Sequence, residues 1–316
     1  MSNYSKRGLA LITGASSGIG ATYADRLAQR GFDLLLVARN QVRLDELAAR
    51  LRATTGANVE TRRADLTVAA DVAQIAQRLR SDPAISMLVN NAGVAVSGPL
   101  LGADPQHLEN MISLNVVAVT QLAVAAATAF AARGQGTLIN IASVLALAPE
   151  LYNGAYSGTK AYVLNLTQAL QQELSPKGVR VQAVLPGATR TELWERAGID
   201  VATLPSEMLM NVDEMVDAAL AGLDLGETVT IPSLPEAGDW DALNAMRLGL
   251  APSPCNTPPR VTGGPDHEEQ DSTRDRRLVR HRRSHGAAAR EGRLHGLRHQ
   301  QAGKPGGPAI IRDAVA

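Results

Sequence analysis

The sequence predicts an α/β fold, a doubly wound parallel sheet of about seven strands with helices on both faces. Three observations carry that expectation. Short apolar runs recur along the chain, separated by amphipathic stretches of helix length. The runs are near-continuous in Val, Ile and Leu rather than alternating, as suits strands covered on both faces. A glycine-rich turn, Thr13 to Gly20, joins the first run to the first helical pattern.

In chain order, Leu9–Thr13 reads as the first strand and Ile19–Gln29 as the first helix. Leu34–Ala38 and Val42–Arg52 follow as strand and helix, then the weaker strand Val59–Arg62 and the helix Asp71–Arg80. Met87–Asn90 precedes a long helical pattern, Pro105–Ala132. Thr137–Ser143, the helix Ala155–Leu174 and Val179–Leu185 complete the strong elements, and Val229–Ile231 is a second weak strand. Alternation at this spacing implies right-handed βαβ crossovers. The sequence holds no repeat, heptad or zinc-ligand spacing, and no metal is expected.

Composition divides the chain. With 45% hydrophobic and 20% charged residues it has the make-up of a soluble globular protein. Zero net charge over 316 residues gives no whole-chain reason to expect nucleic acid, but it hides an asymmetry. From Ser253 onward stand 12 Lys/Arg against 7 Asp/Glu, a net +5, which leaves 19 against 24, a net −5, in the body. Of those last 64 residues, eight are Ile, Leu, Val, Met or aromatic and fourteen are Gly or Pro. So little apolar surface cannot offset the entropy of ordering the segment. The expectation is one folded domain, 1–252, and a disordered basic tail, 253–316. Cys255, the one cysteine, lies in that tail and excludes an intrachain disulfide. Met1–Arg7 carries no apolar signal segment, and the run Leu122–Ala132 is about half the ~20 residues that cross a bilayer. A cytoplasmic protein without a membrane partner is expected.

Gly14, Gly18 and Gly20 let the backbone turn tightly and approach a ligand with no Cβ in the way. The helix beginning near Gly18 offers free N–H groups and its positive dipole end to a pyrophosphate. Gly-x-x-x-Gly-x-Gly between strand and helix resembles the short-chain dehydrogenase/reductase family, a Rossmann-type fold. The resemblance runs from Leu9 to about Pro252. It implies that Gly14, Ser16, Ser17, Gly18, Ile19 and Gly20 cradle a nicotinamide dinucleotide. After the second strand, an NAD-preferring fold places a carboxylate for the adenosine ribose. This chain has no acid between Leu34 and Arg43 and offers Arg39, whose planar fork suits a 2′-phosphate. In the family a basic residue there goes with NADP(H). The resemblance also puts Asp65 and Leu66 beside the adenine. Asn91, Ala92 and Gly93 of Asn-Asn-Ala-Gly then line the cofactor, and Pro186, Gly187, Thr189 and Thr191 close over the nicotinamide.

Tyr156 and Lys160 stand four apart, on one face of a helix. An ammonium near a phenol stabilises the phenolate and makes the oxygen usable for proton transfer. With Ser143 and Asn115 the pair resembles the family's Asn-Ser-Tyr-Lys tetrad. The resemblance implies that Tyr156 is the general acid/base and that Ser143 steadies the same substrate oxygen. It further implies that Lys160 lowers the phenol pKa and holds the ribose, and that Asn115 anchors a proton-relay water. Tyr152 has Tyr156, not Lys, four residues on and is set aside.

The family's variable substrate lid falls on Thr191–Asn211, with Leu193, Trp194, Leu204, Met208, Leu209 and Met210 among its apolar residues. With Val94, Ala95, Val96, Val144 and Leu145 nearby in the fold, the pocket should take a medium-sized carbonyl or secondary alcohol. The expected activity is NADP(H)-dependent hydride transfer by a homodimer or homotetramer; the alternatives are a silent cofactor-binding regulator or scaffold and a nucleic-acid-binding tail. Similar proteins end soon after a helix like Trp240–Leu250, often in His-Pro-Ala-Ala-Arg-Tyr. Here the region reads Asn256-Thr-Pro-Pro-Arg-Val-Thr262. Codons exist for those seven residues that encode the usual ending when read two bases later. A frameshift after about Pro252 is the origin this suggests for the tail.

Overall fold

A computed structural model of the protein describes residues 7–198, 200, 204–234 and 236–250. The two weak runs join the five strong ones in one sheet, because each has a neighbour whose open edge it completes. The strands are β1 (Leu9–Thr13), β2 (Asp33–Ala38), β3 (Val59–Arg63), β4 (Ile85–Asn90), β5 (Gly136–Ile141), β6 (Val179–Val184) and β7 (Val229–Thr230). All pair in parallel, in the order β3-β2-β1-β4-β5-β6-β7. The order reverses between β1 and β4, so a crevice opens at their carboxyl ends.

The helices are α1 (Gly18–Gln29), α2 (Gln41–Thr55), α3 (Ala69–Ser81), α4 (Pro105–Ile112), α5 (Val119–Arg133), α6 (Gly154–Leu174), α7 (Leu193–Arg196), α8 (Val212–Leu225) and α9 (Ala237–Gly249). Because strand side chains alternate between faces, Leu9 and Leu11 enter a core with Ile75 and Leu79 of α3 and Leu122 and Phe130 of α5. Ala10 and Ile12 enter the opposite core, with Tyr23 and Leu27 of α1, Leu44 of α2 and Leu220 of α8. Continuous apolar strands are thus consumed on both sides.

Three differences from the sequence expectation bear on function. β5 ends at Ile141, so Ser143 lies beyond the strand, at the start of a 3-10 turn over Val144–Ala146. The long helix is interrupted by a π-helical turn, Ser113–Ala118, between α4 and α5. Asn90 Nδ2 donates to the Val119 carbonyl there at 2.9 Å. Helix α8 answers no pattern singled out in the sequence, although Glu214 accepts from the Asn211 N–H at 3.3 Å, the reach-back half of a capping box. The 29-residue stretch Pro105–Arg133 is long and apolar enough to cross a membrane, but 61% of its apolar window is buried in the fold.

The unit built by these elements runs to Asp241. A second begins at Ala242, and its described part, 242–250, is the remainder of α9 and one residue more. The tail expected over 253–316 lies outside the described residues.

Candidate active site

Backbone geometry makes the glycine turn a cradle. Gly14 has φ +66°, and a Cβ on it would stand 2.8 Å from Asn91 Nδ2. Gly18 has φ +51°, and its Cβ would meet the Thr191 methyl at 3.3 Å. Gly20 does something else: a Cβ there would fall on the Gly14 carbonyl and lie 2.6 Å from Asn91 Nδ2. It does not line the cavity described below; its lack of a Cβ lets α1 pack against the turn. Thr13, unremarked in the sequence, ties the tips of β1 and β4. Its hydroxyl accepts from the Asn91 and Ala92 N–H groups, both at 3.0 Å. Asn91 Nδ2 returns bonds to the Thr13 and Gly14 carbonyls at 2.9 and 3.3 Å.

A cavity of about 980 Å³ opens over this turn. It is lined by Gly14, Ser16, Ser17, Gly18, Ile19, Arg39, Asp65, Leu66, Asn91, Ala92, Gly93, Pro186, Gly187, Thr189 and Thr191, and by Ser143, Tyr156 and Lys160. Of the residues expected at the site, Gly20 and Asn115 are not part of this lining. Arg39 is exposed at the end beyond β2. Burial opposes the Asp65 charge, but Thr67 and the cations Arg39 and Arg63 outweigh it and hold the carboxyl below its ordinary range. Its Oδ1 accepts from the Thr67 N–H at 3.0 Å and hydroxyl at 2.7 Å, so it serves the turn as well as the wall. A glycine cradle at a helix start, a cation at the far end and this volume fit a nicotinamide dinucleotide carrying a 2′-phosphate.

Helix α6 starts where it does because Asn153 caps it: Oδ1 accepts from the Ala155 and Tyr156 N–H groups at 3.0 and 3.3 Å. Tyr156 and Lys160 follow in its first two turns, 7% and 6% exposed. Burial pushes the Tyr156 phenol above its ordinary value, Tyr152 adds to that, and a hydrogen bond with Ser143 works the other way. Burial brings Lys160 down to about 8. Its Nζ donates to the Ile141 carbonyl at 3.0 Å and lies 5.8 Å from the Tyr156 ring centroid. Desolvation is thus the largest influence on the phenol, and it opposes the lowering expected from Lys160.

Asn115, 1% exposed in the π turn, makes three side-chain hydrogen bonds. Its Oδ1 accepts from the Val94 N–H at 3.0 Å, and its Nδ2 donates to the Val94 carbonyl at 2.8 Å and to Thr159 Oγ1 at 3.2 Å. Thr159, also unremarked in the sequence, donates to the Tyr156 carbonyl at 2.7 Å. The Asn115 amide thereby braces the Gly93–Val94 segment after β4 against α6. A Cβ on Gly93 would stand 3.2 Å from Asn115 Oδ1 and 3.5 Å from Lys160 Nζ, so a side chain there would crowd the amide.

The expected lid is a strap. Thr189 and Met210 pair as an isolated bridge at its base, Trp194 Nε1 donates to the Thr189 carbonyl at 2.7 Å, and Arg43 Nη1 holds both Glu192 oxygens at 2.9 and 2.7 Å. Leu193, Trp194, Leu204 and Met208 face the cavity with Val94, Ala95, Val144 and Leu145, as anticipated. Val96 and Leu209 do not line it, and Met210 packs against the α1/α8 core instead. Leu151 and Tyr152 line it without having been anticipated.

Comparison with known proteins agrees with this geometry. Residues 8–201 match the family described as short chain dehydrogenase. Two solved structures are similar. One is a short-chain dehydrogenase from Sphingobium yanoikuyae in complex with NADPH, 54% identical, TM-score 0.78, over 80% of this chain and 99% of that one. The other is a bulky-bulky ketone specific alcohol dehydrogenase from Comamonas testosteroni, 48% identical, TM-score 0.72, over 78% and 94%. A curated relative, very-long-chain 3-oxoacyl-CoA reductase-A of Danio rerio, is 36% identical over 193 residues; the match spans 58% of this chain and 59% of that longer protein.

Proposed function

Because the chain belongs to the short-chain dehydrogenase family, we propose that it reduces neutral, medium-sized to large ketones with NADPH, with Tyr156 as the proton donor. The observation that carries the reading is one cavity with a phosphate cradle at one end and an apolar pocket beside Ser143 and Tyr156 at the other. NADPH bound there would supply a hydride from its nicotinamide. This chain's residues do the rest. Gly14 to Ile19 bind the phosphates, and Arg39 takes the 2′-phosphate. Ser143 hydrogen-bonds the ketone oxygen, and Tyr156 gives it a proton as the carbonyl carbon becomes a carbinol. Lys160, charged at neutral pH, holds the ribose and replenishes the phenol. The NADPH-bound and ketone-specific neighbours support this choice of cofactor and substrate. The intact Asn115, Ser143, Tyr156 and Lys160 set disfavours a silent regulator or scaffold.

The test is NADPH oxidation with a panel of aryl and alkyl ketones, CoA thioesters and sugars. Turnover of ketones alone supports the reading, and binding of NADPH without turnover of any carbonyl refutes it. The same proposal takes the enzyme as a cytoplasmic homodimer, or a tetramer built from it, through the small-residue faces of α5 and α6; a stable monomer in light scattering at micromolar concentration rejects that. It also takes 1–252 as the catalytic domain and 253–316 as a dispensable, frameshifted ending. Deleting that segment should then leave turnover and melting temperature unchanged, and the coding DNA tests its origin.

A further inference from the structure

We infer that Tyr152, through its ring, is a specificity-determining residue that fixes how a ketone is presented for reduction; the inference rests on the reductase reading above. Tyr152 lines the same cavity as Ser143 and Tyr156. Its ring meets the Tyr156 ring edge-on, centroids 5.5 Å apart and planes at 75°, the favoured geometry of an aromatic pair. A ketone whose oxygen is held by Ser143 and Tyr156 therefore has a substituent against Tyr152. The ring cannot easily yield. It follows directly on the 3-10 turn Pro149–Leu151 and precedes Asn153, which is fixed twice, by capping α6 and by donating to the Gly98 carbonyl at 2.9 Å.

The hydroxyl does not explain the residue. It is buried with no hydrogen-bond partner among the described residues, a situation that costs rather than contributes stability. The same cavity is lined by the aliphatic Val94, Val144, Leu145 and Leu151 and, on the strap, by Trp194. Tyr152 is thus the rigid, flat element of the wall that packs directly on Tyr156. A wall of that kind decides which of two unequal substituents takes the space beside Tyr156, and hence which face of the carbonyl receives the hydride.

The experiment compares the parent with Tyr152→Ala, Tyr152→Leu and Tyr152→Phe, each reducing acetophenone, propiophenone and a diaryl ketone with NADPH, with the alcohol enantiomers separated chromatographically. Losing the ring removes contact worth more than one methylene, so the enantiomer ratio should move about tenfold or more in the Ala and Leu variants. Their kcat/KM should shift toward the diaryl ketone, while NADPH affinity read by fluorescence stays at the parent's value. Tyr152→Phe should restore the parent's ratio to within about twofold. Parent-like ratios in both Ala and Leu variants overturn the inference. So does a Phe variant displaced as far as the Ala variant, since the hydroxyl would then be the determinant. If Ala unfolds, Leu, which keeps side-chain bulk, gives the answer alone. A parent that binds NADPH but reduces no ketone refutes the reductase reading and this inference with it; reduction with an unmoved ratio refutes only the inference.

Discussion

Lys160→Met should stabilise the cofactor-free protein relative to the parent at neutral pH more than at alkaline pH, while removing its activity. Burial holds the Lys160 ammonium at about 8 against 10.5 for an ordinary lysine, a difference worth roughly 3 kcal/mol. The sign follows from proton counts. Between about 8 and 10.5 the unfolded chain keeps a proton that the native Lys160 has released, so stability rises with pH across that window. Below pH 8 the full cost of burying the charge is present. Methionine removes that cost but leaves the Ile141 carbonyl, 3.0 Å from Nζ, without its donor, an offset of roughly 1–3 kcal/mol. The net gain at pH 7 is therefore between about zero and 2 kcal/mol. Its pH dependence is the sharper quantity: the parent should gain roughly 2 kcal/mol on the variant between about pH 7 and 9.5. Tyr23 and Tyr156, both pushed above their ordinary range by burial, do not titrate in that interval. Urea midpoints at both pH values and one protein concentration, with equal m-values, measure it. Parallel pH dependences in parent and variant would show that Lys160 is not a desolvated charge and refute the reasoning.

Tyr156→Phe should leave NADPH affinity nearly intact while turnover drops by ~10²-fold or more, the scale of a lost general acid; retained turnover rejects Tyr156 as the donor. Arg39→Ala should weaken NADPH by roughly 1.5–3 kcal/mol more than NADH, which has no 2′-phosphate to lose. Equal weakening in titrations of both cofactors would make Arg39 a stacking residue. Gly20→Ala should lower the melting temperature without cofactor present, because the added Cβ lands on the Gly14 carbonyl; overpacking of this kind costs about 1–3 kcal/mol, some 2–4 °C for each in a domain of this size. Unchanged melting with weakened NADPH binding would return Gly20 to the cradle.

The strands that cross the sheet centre were legible because burial on both faces leaves a continuous apolar run, as in Leu34–Val37. β7 is two residues long, too short to leave more than a hint. The π turn has no composition of its own: Ser113–Ala118 reads as ordinary helix, and only its backbone geometry brings Asn115 to Val94 and Thr159. Gly14, Gly18 and Gly20 look alike in sequence, yet their different tasks depend on what lies within reach of each missing Cβ. Spacing likewise puts Lys160 on the right face of α6 but says nothing of how completely both groups are withdrawn from water, which is what raises the phenol and lowers the ammonium.

Helix α6 holds a conflict between folding and chemistry. The buried face of α6 carries Tyr156, Ser157, Thr159, Lys160 and Thr167 where a helix chosen for its core would carry Leu, Val or Ala. Part of that polarity is satisfied locally, since Thr159 donates to the Tyr156 carbonyl and Thr167 to the Val163 carbonyl at 2.6 Å. Part is not: the Ser157 hydroxyl is buried without a partner among the described residues, and Lys160 keeps a desolvated charge. Toward the end of the helix, Leu170 and Leu174 pack into the core in the ordinary way. The unpartnered hydroxyl and the desolvated ammonium both fall in the first two turns, where Tyr156 and Lys160 line the cavity. A sequence departs from those rules where chemistry needs a group that folding would reject, and the first two turns of α6 are that place.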